Sequence, residues 1–96
     1  MDKDKIKAQF KEIKKNALKL DYSSESIVEL GSLKIQAVRI ANEIKDKHYK
    51  LFCLTQIKEL SEDEFAIMFS TPNSKAFFSA LNEFLAVIDD CVRGEV

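Results

Sequence analysis

The chain has no tryptophan, one proline (Pro72), one histidine (His48) and two glycines (Gly31 and Gly94) in 96 residues. Average usage would give about a dozen glycines and prolines together. Their scarcity argues against many short strands joined by glycine-rich hairpins, and it removes the loops that cradle phosphate. The two cysteines, Cys53 and Cys91, have no second Cys or His at metal-ligand spacing, so buried free thiols are expected. No apolar run approaches the roughly 18 uninterrupted residues of a membrane-crossing helix. The N-terminus opens on alternating Asp and Lys rather than on a secretory signal. These absences predict a cytoplasmic chain with no membrane segment, metal or cofactor.

Excess charge is also missing, since 15 Lys+Arg stand against 16 Asp+Glu for a net charge of -1. No global field draws in nucleic acid or an anionic surface. The distribution is uneven, however. Residues 1 to 20 carry seven lysines and three acids, a net of +4, which leaves -5 for the rest. Such asymmetry either steers a partner or pairs one element of the fold with another.

What is present is a globular composition, 46% hydrophobic and 32% charged, in a length that suits one domain. Ile6, Phe10, Ile13, Ala17 and Leu20 recur at steps of 3 and 4, predicting an amphipathic helix over residues 3 to 20. Residues 21 to 26 supply candidate N-caps. Ile27, Leu30, Leu33, Ala37, Ile40 and Ile44 predict a second helix over 24 to 46, although Gly31-Ser32 is also a hairpin signal. Phe77, Leu81, Phe84, Ile88 and Cys91, widened by Phe78, Leu85 and Val92, predict a third over 74 to 92, with Ser74 as its cap.

Residues 49 to 58 fit a strand better than a helix, because Tyr49, Leu51, Cys53, Thr55 and Ile57 alternate with their neighbours. Ser61-Glu62-Asp63-Glu64 has the spacing of a capping box or forms an acidic turn. Asp63-Glu64-Phe65-Ala66-Ile67 resembles the D-E-F-A-I of GGDEF-type nucleotide cyclases, where it occupies a hairpin. The resemblance spans five residues, with Ser61-Glu62 in place of the two glycines that approach the nucleotide, and implies no cyclase activity. The fold expected is a small all-α bundle of three or four helices. The alternative is α+β, with an antiparallel hairpin or meander drawn from residues 26 to 71 between terminal helices.

Catalytic motifs are absent: no paired metal-ligand spacing, no nucleophile elbow and a single histidine. Asp63-Glu64 and Asp89-Asp90 are neighbours in sequence and point to different faces, so neither pair converges. His48 would lie on the apolar stripe if the second helix continued, as a phosphoacceptor does in a phosphotransfer bundle. The surrounding His48-Tyr49-Lys50-Leu51-Phe52 departs from the H-x-L-K-G run of those domains, with a bulky Phe52 where a glycine makes room. Residues 60 to 81 can be laid over a helix-turn-helix, but Lys75 is the one base there, and DNA reading needs more.

Apolar surface remains. Seven phenylalanines are more than a small core readily covers, and the expected function is a protein-binding regulatory module without catalysis, such as an inhibitor, adaptor or secretion-type chaperone. Its anchors would be Phe77, Phe78 and Phe84, supported by Phe65 and Phe69. One unbroken helix over residues 25 to 60 would span roughly 54 Å at ~1.5 Å per residue, and a homodimer would follow. The alternatives are a nucleic-acid accessory protein using Lys7, Lys11, Lys14 and Lys15, and phosphotransfer through His48.

Overall fold

The computed structural model describes residues 2–62 and 64–94. They form a small all-α bundle of α1 (Asp2–Ala17), α2 (Ser24–Asn42), α3 (Lys47–Glu62), α4 (Glu64–Ser70) and α5 (Ser74–Arg93). No strand occurs among the described residues, so the α+β alternative, with its hairpin or meander over 26 to 71, is overturned. Helix α5 is the hub, packing on α1, α3, α4 and α2. Its apolar surface is broader than its main stripe, because Ala76, Ala80 and Val87 are buried beside Phe77, Leu81, Phe84, Ile88 and Cys91.

The caps explain where the helices begin. Ser23 accepts from the Ser26 amide at 3.0 Å and starts α2. Asp46 accepts from the Tyr49 amide at 3.0 Å ahead of α3. Asn73, rather than Ser74, caps α5 by accepting from the Ala76 amide at 2.8 Å, and Ser74 is the first helical residue. Ser61 lies inside α3, so the capping box does not form, and Asp63 lies outside the described residues. At the other end of α5, Gly94 takes the left-handed conformation at φ +65° and its amide donates to the Asp90 carbonyl.

Residues 49 to 58 are helical, against the strand expectation. Tyr49, Cys53 and Ile57, every second member of the alternating set, are also four residues apart. All three are buried, and Leu60 continues the stripe. Lys, Leu, Gln and Glu between them favour a helix over a strand. Residues 64 to 70 also turn helical, with Phe65 and Met68 buried one turn apart, so the hairpin implied by the five-residue cyclase resemblance is absent.

Helix α2 ends at Asn42, and Ile44 is buried in the four-residue link to α3. The unbroken 25 to 60 helix therefore does not exist, and the homodimer loses that ground. The resulting shape has principal extents of 40 × 24 × 18 Å.

Candidate functional site

The five phenylalanines of the expected aromatic surface divide between core and exterior. Phe65, Phe77 and Phe84 are buried, so three of the five are consumed by the bundle. Phe84 lies tilted against Phe65 at 6.0 Å between ring centroids, and Phe65 lies 6.3 Å from Phe69. Phe77 lies 5.1 Å edge-on from Phe78 and 5.8 Å from Tyr22. The first chain runs from the core to one outward ring, Phe69 at 54% exposure, and the second to two, Phe78 and Tyr22 at 41% each. The exposed face of α5 is therefore not a continuous aromatic surface; it offers Phe78 at one end.

The larger apolar exterior belongs to α2 and α3. Val28 is 71% exposed, Ile35 57% and Leu51 66%. Helix α2 carries two apolar rows. One, Leu30, Leu33, Ala37 and Ala41, is buried. The second runs Val28, Gly31, Ile35 and Val38 at steps of 3, 4 and 3; Val28 and Ile35 are exposed, while Gly31 and Val38 are half-buried, with Val38 packed against the core. Gly31 has a local reason in this row: a Cβ placed there would lie 3.1 Å from Cζ of Phe69. The tip of the Phe69 ring thus lies against Gly31. Phe69 of the expected set joins this surface, whereas Phe78 stands on another helix.

Between the helices lies an open trough of about 620 Å³, with Ile35 and Val38 on one wall and Leu54 and Ile57 on the other. Lys34, Arg39 and Lys58 complete the lining, and none of its residues is acidic. Lys34 is half-buried, with its Nζ 5.3 Å over the Phe65 ring, and burial lowers the pKa of its ammonium group.

The lysines of α1 serve the bundle in part. Lys14 pairs with Asp89 of α5 at 2.6 Å, and Lys7 donates to the Arg93 carbonyl at 3.3 Å. Lys3 lies 5.4 Å over the Tyr49 ring. Lys11 and Lys15 face solvent. Part of the N-terminal positive charge thus complements the C-terminal end of α5, where a helix presents unpaired carbonyls and negative potential. His48 is exposed in the first turn of α3 instead of continuing the stripe of α2.

The buried polar chemistry is confined to one place. Tyr49 donates its hydroxyl to the Cys91 carbonyl at 2.6 Å, and burial pushes its ionisation above the ordinary tyrosine range. Cys53 and Cys91 are free and fully buried. The neighbouring Cys53 thiol, and then burial, push the Cys91 thiol above the ordinary cysteine range. Neither thiol is presented to a substrate. No group of three His, Cys, Asp or Glu side chains that could hold a metal occurs among the described residues, and no helix among them is long and apolar enough to cross a membrane.

Sequence reasoning missed Val28, Ile35, Val38 and Leu51, although the 3, 4, 3 spacing of the α2 row was there to find. No family model, curated protein or solved structure matches this chain, so the trough and its two walls are read from their own residues.

Proposed function

We propose that this chain is a small cytoplasmic protein-binding module without catalysis, acting as an inhibitor, adaptor or chaperone-like regulator. The observation that carries the reading is the apolar exterior of the adjoining helices α2 and α3: Val28, Ile35 and Leu51 are each more than half exposed. Large side chains so placed contribute little to folding, yet each would be worth roughly 1.5–3 kcal/mol if fully buried against a partner. Singly exposed apolar residues are ordinary, but a row backed by a trough is the arrangement found at protein-docking surfaces. The aromatic anchors expected on α5 give way here to aliphatic ones on α2 and α3, with Phe69 at their margin.

The test is affinity capture from source-cell lysate, after nuclease treatment and at high salt, using the wild-type chain and Leu51→Asp in parallel. One dominant protein retained by the wild type and lost with the variant supports the reading. Equal retention by both chains, or a catch that disappears with nuclease, contradicts it.

A further inference from the structure

We infer that the trough between α2 and α3 receives an acidic amphipathic helix from a partner protein. This rests on the protein-binding reading above and adds the shape and the charge of what is bound.

The shape follows from the two walls. Val28, Gly31, Ile35 and Val38 repeat at the 3-and-4 spacing of a coiled-coil seam. The α3 wall facing Ile35 and Val38 is Leu54 and Ile57, again at a step of 3, with Lys58 beside them. Two such rows present ridges and holes that a third helix fills with leucine-like knobs. A strand has nothing to pair with, because the walls are helices whose backbone groups are already bonded internally. A small apolar ligand is disfavoured as well, since such ligands bury most of their surface in enclosed cavities and this trough is open to solvent.

The charge follows from the rims. Arg39 stands on the α2 side and Lys58 on the α3 side. Both are exposed, and neither is held in an ion pair among the described residues. No acid lines the trough, although the chain as a whole is slightly acidic. A cationic rim around an apolar floor selects glutamates and aspartates on the flanks of the incoming helix and repels a basic one.

The experiment is a display selection on the full chain. The library consists of amphipathic helices whose core positions vary among Leu, Ile, Val, Met and Phe, and whose flanking positions vary among Glu, Lys, Gln and Ser. The expected result is enrichment of Glu at the flanks. Individual peptides should lose at least tenfold in affinity to Ile35→Asp, Arg39→Glu or Lys58→Glu chains that keep wild-type circular dichroism. Their Kd should also rise with added salt. Enriched helices that are neutral or lysine-rich, or that ignore all three substitutions, overturn the inference. If they respond instead to Phe78→Asp, the trough is wrong while the protein-binding reading survives. A wild-type dimer that Ile35→Asp converts to a monomer in sedimentation also overturns it, because the occupant is then a second copy. No enriched helix, together with no specific capture from lysate, removes both readings.

Discussion

Tyr49→Phe isolates one bond that ties α3 to α5. The ring is 1% exposed, and its hydroxyl donates at 2.6 Å to the carbonyl of Cys91 in the last turn of α5. Carbonyls in a last turn run out of helical N–H partners, so Tyr49 supplies the donor that the helix lacks. Removing the hydroxyl leaves the apolar packing of the ring in place and strands a buried acceptor, which costs about 1–3 kcal/mol. For a domain of this size that is a fall in Tm of roughly 4–8 °C per kcal/mol. Urea titration of the two proteins should therefore show a lower midpoint with an unchanged slope. The pH dependence gives an independent check. The folded-state pKa of Tyr49 is raised, so the stability tied to its protonated form is complete below the ordinary tyrosine value of about 10 and declines as pH rises beyond it. Wild-type stability should fall with pH in that range, and Tyr49→Phe should flatten the fall. A midpoint change under about 0.5 kcal/mol, with no change in the alkaline slope, refutes the assignment.

The two glycines should respond in opposite directions. Gly94→Ala places a Cβ at positive φ and 3.2 Å from Cε1 of buried Tyr49, and should cost about 1–2 kcal/mol in urea unfolding. Gly31→Ala should instead gain up to about 1 kcal/mol from helix propensity, since the one side chain in its way is the tip of the half-exposed Phe69 ring. The Asp46 carboxylate, which accepts from the Tyr49 amide, is held below the usual carboxylate range, chiefly by that hydrogen bond. Its contribution is present above the ordinary aspartate pKa and is lost as pH falls through the lower folded value; Asp46→Ala should lower Tm at neutral pH and weaken that acid dependence. Cys53 and Cys91, both fully buried, should react with a thiol reagent at the rate of global or local opening, and fast labelling of the native chain would contradict their burial.

Three helices were legible because their apolar steps are long and uninterrupted: Ile6 to Ala17, Leu30 to Ala41 and Phe77 to Cys91. Helix α3 was not, because a step of four contains two steps of two, and Tyr49, Cys53 and Ile57 satisfy both periods. Only the packing of α3 on α5, which seats Tyr49 under Cys91, decides between them. The division of the expected aromatic set between core and exterior has a related cause. Phe77 and Phe78 are adjacent in sequence and one is buried while the other is half exposed, a difference set by which side of α5 its neighbours occupy. Composition signals surplus apolar area and is silent on where it emerges. The trough is a tertiary object: Ile35 and Leu54 are 19 residues apart and become its opposite walls only once the link at 43 to 46 folds α3 back on α2.

The claim that the α2–α3 face is where a partner docks is tested most directly by photocrosslinking in the source cell. A benzophenone side chain is placed in turn at Ile35, Leu51 and Phe78, and adducts are identified by mass spectrometry. The account predicts one common protein crosslinked from Ile35 and Leu51, through an acidic helical segment, and not from Phe78. Adducts from Phe78 alone, or none from either Ile35 or Leu51, contradict it.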